Sequence, residues 1–449
     1  MARWRPYQNI IVGTPVMLHL LKDRNFLFYW LGQFVSVIGD HVSMLAFPWL
    51  VLQLTGSELL MGLVFAAQGL PRAALMLWGG ALVDRTNPRS IMLWTNLLRL
   101  VLVMVLAYLL YIDSVTIEVV FAMAIAFGLA DAFFYPATTS MVPSLVKGDD
   151  LQTGNSLVQT SMWLGVIIGP VIAGVVIAGE ATTVSHTPQE AGGSFQDDRM
   201  GLARAFFLDG LTFAFSYLTL LFVRARNYEK DESEEGQSMA SAIMQAIKWV
   251  WANPSVRLGF IGIAILEMFF QAPIFIGLPA LADLRFEEGA YVYGLEIAAY
   301  GSGALLGAIA GGMLKWPKPE NVVRVMFLIF TFSGATIGLI VLYPPYWWAM
   351  LVFFIAGGGD SYIWVHFTTF LQKATPEKLL GRVMSILMFM SVGLLPIASI
   401  IAGFAFEWNL ELSLMIASGI LVVSCLLAAA HPYAKAKEMT EGAEQTAGE

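Results

Sequence analysis

Asp40, Arg72, Asp131, Glu267 and Asp360 each stand inside a long apolar run of a 449-residue chain. An ionised side chain costs about 2.5–3.5 kcal/mol at the middle of a membrane helix. Each of these residues must therefore gain something there: an opposite charge, an exchangeable proton or a polar solute. Counted at about 1.5 Å per residue from one end of its run, Asp40 lies about 20 Å deep and Arg72 about 21 Å, and the other three acids fall between about 20 and 24 Å. That common level predicts an Asp40 to Arg72 pair within a ring of acids that take up and release protons. Permanent pairing that only fixes helix packing is the competing reading for each. Arg99 lies nearer the opposite boundary and is expected to extend its head group to water. Asp209 and Glu296 fall closer to the outer boundary and stay outside the ring.

The surroundings dictate how such residues are held. The chain is 57% hydrophobic and 13% charged with a mean hydropathy of +0.70, about half the charge of a soluble domain. It reads as an integral membrane protein. Lipid offers the backbone no partner, so the spans are helices. Stretches such as SIMLWTNLLRLVLVMVLAYLLY, residues 90–111, lack the alternation of barrel strands. Apolar runs cover approximately 25–53, 58–83, 91–111, 116–143, 153–179 and 201–223, then 256–283, 290–314, 322–343, 347–373, 383–406 and 411–431. Six plus six predicts an all-α fold of about twelve transmembrane helices in two six-helix bundles, 25–223 and 256–431. Residues 1–24 form a segment before them, 224–255 a linker and 432–449 a tail. In the linker Ile243, Met244, Ile247, Val250 and Trp251 share one helical face, which predicts an amphipathic helix in the membrane interface.

Arg3, Arg5, Lys22 and Arg24 precede the first run, and Arg85, Arg89, Lys147, Arg224, Lys315, Lys373 and Arg382 fall in alternate loops. Lysine and arginine collect on the cytoplasmic side, so both termini are expected there, at the cell's inner (plasma) membrane. The net charge of −8 leaves no basic surface for nucleic acid. One cysteine, Cys425, permits no internal disulfide, and no metal-ligand cluster is evident. The absence of an H-E-x-x-H site, a Walker loop and a nucleophile elbow argues against an enzyme and against direct use of ATP. No signal peptide and no cofactor are expected. A weak internal repeat joins Gly128, Asp131, Thr138-Thr139 and Pro143 in span four to a glycine run, Asp360, Thr368-Thr369 and Pro376 in span ten, with a one-residue slip. Two related halves facing a central pathway would produce it.

The turn GGALVDRTNPRSIM, residues 79–92, places charges between two of the most apolar stretches. Its Gly80-x-x-x-Asp84-Arg85-x-x-x-Arg89 pattern resembles the loop signature of the major facilitator superfamily of transporters, although Asn87 stands where a small residue is usual and Pro88 where a basic one is frequent. With the twelve-run layout, the resemblance covers roughly residues 20 to 432. It implies a latch in which Asp84 faces the start of span eleven near Arg382 and Val383, held by the favourable field of a helix N-terminus. Gly165, Gly169, Pro170 and Gly174 resemble the span-five motif of the antiporter branch; glycines four apart allow close packing and the proline loosens the backbone. GQFVSVIGDHVSMLAFPWLVLQLTGS (32–57), DRTNPRSIMLWTNLLRL (84–100) and TPEKLLGRVMS (375–385) are similar to the drug:proton antiporter group that includes macrolide efflux proteins.

The resemblance implies a secondary active exporter of amphipathic or cationic small molecules, working by alternating access and powered by the proton gradient. Its partners would be its substrate, protons and membrane lipid, and a monomer is expected. Gln33, Gln68, Phe134, Tyr135, Gln271 and Trp364 are candidates for the substrate cavity, and His366 for a proton relay. The alternatives are export of a dedicated metabolite such as a siderophore or lipid, and a scaffold or sensor that transports nothing.

Overall fold

The computed structural model describes residues 19–146, 150–178, 195–224, 239–314, 316–343 and 345–435, with all side chains there except those of 77, 79–81, 83–85, 152, 195–197, 239–242, 377 and 378. Among the described residues the chain is helical and 12 helices are long and apolar enough to cross a membrane. The first six are α1 (Arg24–Thr55), α2 (Glu58–Arg85), α3 (Pro88–Tyr111), α4 (Ile117–Leu145), α5 (Asp150–Ala178) and α6 (Phe195–Leu221). A shorter α7 (Met239–Ala252) precedes the second set: α8 (Pro254–Arg285), α9 (Gly289–Met313), α10 (Val322–Leu342), α11 (Tyr346–Ala374), α12 (Glu377–Trp408) and α13 (Leu410–Ala430).

Local chemistry sets the helix ends. Asp23 accepts a hydrogen bond from the Phe26 amide at the start of α1, Asn87 from the Arg89 amide at the start of α3, and Asn409 from the Leu412 amide at the start of α13. Each satisfies a donor that the first turn leaves open. Pro88 at the first position of α3 costs nothing there because its amide would be unbonded anyway. Gly56, at φ 61°, ends α1 in the left-handed conformation. α8 departs from the regular pattern: two π-helical stretches, Glu267–Gln271 and Pro273–Gly277, interrupt it.

Consecutive helices are often not neighbours. α1 packs mainly on α5 and α6, α2 on α4 and α12, α3 on α4 and α6, α9 on α11 and α5, and α10 on α11 and α13. The two halves meet along α2 with α12 and α5 with α9. An even number of crossings puts both ends of the described chain on one side, the terminal end of the bundle; the other is the far end. At the far end Gly62 lies against the Ser399 carbonyl, Gly403 against Glu58 and Leu59, and Gly174 against Ala290 and Tyr291. Gln53 Nε2 donates to Asp283 Oδ1 at 2.7 Å, and Ser57 Oγ to Glu407 Oε1 at 3.5 Å, both across the halves. The halves are thus closed on each other at the far end.

Corresponding helices repeat the same contacts. Gly128 of α4 lies against the Gln68 carbonyl of α2, and Gly357 of α11 against the Tyr300 carbonyl of α9. Three residues on from each glycine comes an acid, Asp131 and Asp360, so the repeat aligns without the slip that the threonine pairs suggested. α7 shares an apolar groove with α8 and α12, lined by Ile247, Val250, Trp251, Phe260, Ile386 and Met390.

Candidate functional site

Arg99 is the centre of the first half. It is 2% exposed, and its Nη2 lies 2.5 Å from Asp131 Oδ1 and its Nη1 3.6 Å from Asp40 Oδ1. The Phe134 ring stands 3.8 Å from the guanidinium carbon and the Phe213 ring 5.5 Å, so aromatic faces cover the cation where carboxylates do not. Arg72 reaches Asp131 Oδ2 at 3.9 Å and lies over the Tyr135 ring at 5.7 Å. Asp209 of α6 is fully buried; it accepts a short hydrogen bond from Ser43 Oγ and one from Thr212 Oγ1 at 3.2 Å, and it lies within electrostatic reach of Asp40 and Arg99.

This arrangement corrects three expectations. Asp40 pairs with Arg99 and not with Arg72: α2 packs on α4 and carries Arg72 to Asp131, whereas α1 and α3 both pack on α6, and the long Arg99 side chain spans from α3 to Asp40 on α1. Arg99 does not extend to water; the face of α3 that carries it is packed against α4 and α6. Asp209 belongs to the cluster. Equal depth along two helices says nothing about the direction in which each side chain points, and that direction decides the cases of Asp40 and Arg99. Asp209 lies about 21 Å along its helix, counted at about 1.5 Å per residue, because α6 begins at Phe195 and not at 201.

A cavity of about 260 Å³ opens on this cluster, lined among others by Asp40, His41, Gln68, Arg72, Tyr135 and Asp209. It reaches the second half at Leu395 and Pro396 of α12. The Asp40 side chain is 37% exposed and Asp131 only 10%, so Asp40 is the carboxyl that the cavity wets. His41 is committed to its own helix through a 2.8 Å contact between Nδ1 and the Val37 carbonyl.

The second half holds a separate cavity of about 230 Å³, walled by Glu267, Gln271, Tyr300, Asp360, Trp364 and, from α5 of the first half, Trp163. Asp360 accepts from Ser333 Oγ at 2.7 Å and from Tyr300 Oη at 3.1 Å. Tyr300 is also hydrogen-bonded to Gln271. Glu267, 8% exposed, has neither a hydrogen bond nor an ion pair among the described residues. The five ionisable residues therefore form two groups in two halves and not one ring.

The other candidates divide in the same way. Gln68 and Tyr135 face the first cavity, Gln271 and Trp364 the second. Phe134 lies beneath Arg99 and off the cavity wall, and Gln33 is buried in α1 away from both cavities. His366 packs on Tyr362 with centroids 4.7 Å apart and ring planes tilted by 59°, and lines neither cavity. Gly165 and Gly169 bring α5 onto Val37, Ile38 and His41 of α1, while Pro170 and Gly174 meet α9 at Gly294 and at Ala290 and Tyr291. Of the charged turn, Arg89 donates from Nε to the Leu220 carbonyl at 2.8 Å and from Nη2 to the Leu221 carbonyl at 2.9 Å. It thereby caps the C-terminus of α6, where a cation is favoured. Gly80, Asp84 and Arg85 lie outside the described side chains.

Comparison with known proteins agrees with this architecture. The chain is 25% identical over 375 residues to the multidrug efflux pump Tap of Mycolicibacterium fortuitum, covering 81% of this chain and 85% of that protein. It is 22% identical over 373 residues to the enterobactin exporter EntS of Shigella boydii serotype 4, covering 82% of each. Among solved structures it superposes on the nucleoside transporter NupG with a TM-score of 0.68 at 12% identity, over 90% of this chain and 99% of that one. A bacterial homologue of the human lysosomal transporter Spinster, in an inward-facing and unoccupied conformation, gives a TM-score of 0.60 at 13% identity, over 95% and 98%. The sequence pattern of the Major Facilitator Superfamily matches residues 29–399, and the chain, a multi-pass membrane transporter and not an enzyme, belongs to that family.

Proposed function

We propose that this transporter exports amphipathic small molecules in exchange for protons by alternating access, and that the cluster around Arg99 is its proton site. The observation that carries this reading is a charge count. Asp40, Asp131 and Asp209 face Arg72 and Arg99 in one buried group. Arginine keeps its proton in proteins, so the fully ionised group carries one negative charge in excess, and a single proton neutralises it. Asp40 is the exchanging member, since the cavity wets it and Arg99 stands 3.6 Å away, beyond hydrogen-bond distance. Asp131 is clamped at 2.5 Å and Asp209 is buried behind Ser43.

The basic residues gathered on the terminal side support a cytoplasmic location for both termini. On that reading the closed far end faces outward, and the described conformation is the one that loads cargo from within. The latch at Asp84 and the monomeric state belong to the same proposal. Export as a direction is supported by the names of the Tap and EntS relatives. The EntS relationship also favours a second reading, in which the cargo is one dedicated metabolite of siderophore type.

Proteoliposomes with an imposed pH gradient and a panel of fluorescent amphiphiles test the proposal. Cargo is expected to accumulate on the acidic side, to reverse when the gradient is reversed, and to stop accumulating in Asp40→Asn while the variant remains folded. Accumulation by Asp40→Asn against its gradient would remove Asp40 from the coupling role. Flux insensitive to pH on both faces would end the antiport reading.

A further inference from the structure

The two cavities occupy corresponding places in two halves built from the same contacts, and they differ in one respect. In the first half, α3 supplies Arg99 to the acid of α4; in the second, α10, the corresponding helix, supplies only Ser333 to the acid of α11. At the position of Arg72, four residues beyond Gln68, the second half has Ala304, four residues beyond Tyr300. The first cavity holds two arginines, whereas the lining of the second contains Glu267 and Asp360 and no arginine, lysine or histidine. Asp360 has both oxygens occupied by hydroxyl donors. Glu267 is more than nine-tenths buried, faces the cavity and has no side-chain partner among the described residues. A buried carboxylate left unpaired is costly, so Glu267 either holds a proton or pairs with a cation from outside the chain, and a cation that enters the cavity takes the proton's place.

From this asymmetry we infer that the second-half cavity is the site for the cationic head of the cargo, an organic ammonium that Glu267 pairs with and that Trp163 and Trp364 flank. The inference rests on the export reading above and names its substrate class. Aromatic walls favour an organic cation over a hydrated metal ion, because ring faces stabilise a weakly hydrated positive charge. A volume of about 230 Å³ is below the ~300–1,000 Å³ of sites that hold a whole drug-sized ligand. The cavity therefore takes the charged head and one ring, with the remainder of the molecule lying between the halves, where Trp163 of the first half already reaches. The π-helical stretch Glu267–Gln271 sets both of its polar end residues on this wall. Such wide turns recur at functional sites.

Binding to the purified full-length transporter without any gradient tests the inference. The probe is benzyltrimethylammonium, its neutral control the carbon isostere neopentylbenzene, and the readout tryptophan fluorescence. Glu267→Gln is expected to weaken the cation at least about tenfold, as loss of a buried charge partner does, and to leave the neutral isostere unaffected. Asp40→Asn is expected to keep the cation's Kd while losing gradient-driven accumulation. An unchanged Kd in Glu267→Gln overturns the inference, as do equal losses for both probes, absence of saturable cation binding in the native protein, and displacement of the probe by sodium ions. If Glu267→Gln melts at a much lower temperature than the native protein, Trp364→Ala takes its place; its Kd for the cation must rise, and a native value overturns the inference. Glu267-dependent binding of a cation that no pH gradient moves would leave this site standing and overturn the antiport reading alone.

Discussion

Arg99 serves two carboxylates with one side chain, which makes it the residue whose loss the first half tolerates least. Arg99→Leu leaves Asp40 without its cation and Asp131 with only Arg72 at 3.9 Å, and breaking a buried pair in this way typically costs about 3–5 kcal/mol. A marked fall in melting temperature in detergent is expected. The double variant Arg99→Leu with Asp131→Leu removes both partners and should recover part of the loss, since an apolar pair in place of a buried ion pair is often close to neutral. A double variant no more stable than the single one would show that the pair is not the source of the effect. At this scale the sequence revealed the charges but not their partners. Asp40, Asp131, Glu267 and Asp360 announce themselves as acids in apolar runs. Arg99 and Asp209 were visible too, yet helical rise gives only depth, and the partners are fixed by azimuth and by which helices touch. Glu267 lacks a partner among the described residues for a reason no sequence pattern states: α10 places Ser333 where α3 places Arg99.

Helices as units were far easier to read than residues. The run 25–53 is helix Arg24–Thr55, 290–314 is Gly289–Met313 and 411–431 is Leu410–Ala430, because a span must be both apolar and long. The wide turns of α8 left no trace of that kind: hydropathy is indifferent to whether a carbonyl bonds four or five residues on. Pro273, which lacks an amide proton, was the one available hint. The glycines of α5 and α9 are legible as packing points, but only the fold shows that Gly165 and Gly169 serve α1 while Gly174 and Gly294 serve the contact between halves. A side chain at Gly294 would meet the Pro170 carbonyl directly. Gly294→Val is therefore expected to push the far ends apart, lengthening the distance between spin labels placed at the far ends of α5 and α9. An unaltered distance distribution would mean that the helices yield elsewhere and that the seal does not depend on this contact.

As a whole the molecule is two related halves closed at one end, and that closure is accessible to covalent test. With Gln53→Cys and Asp283→Cys replacing the hydrogen-bonded pair at the far end, a bifunctional methanethiosulfonate that bridges the two thiols is expected to lock the closed state and stop transport, and a reductant to restore it. Continued transport by the cross-linked protein would rule out opening at that end. The background suits the experiment, since Cys425 is fully buried in α13 and is expected to react with a polar maleimide only after denaturation. The family was legible from layout and turn; the place proposed for the cargo was not, since it depends on a cation missing from one half. The single excess charge of the Arg99 cluster also has an electrical meaning. If the proposed exchange is one proton inward against one monovalent ammonium outward, it moves no net charge, and a membrane voltage alone would neither drive nor oppose it. A neutral cargo instead leaves the proton's charge uncompensated, adding about 2.3 kcal/mol of drive per 100 mV. Valinomycin-imposed potentials at equal pH should therefore separate the two kinds of cargo.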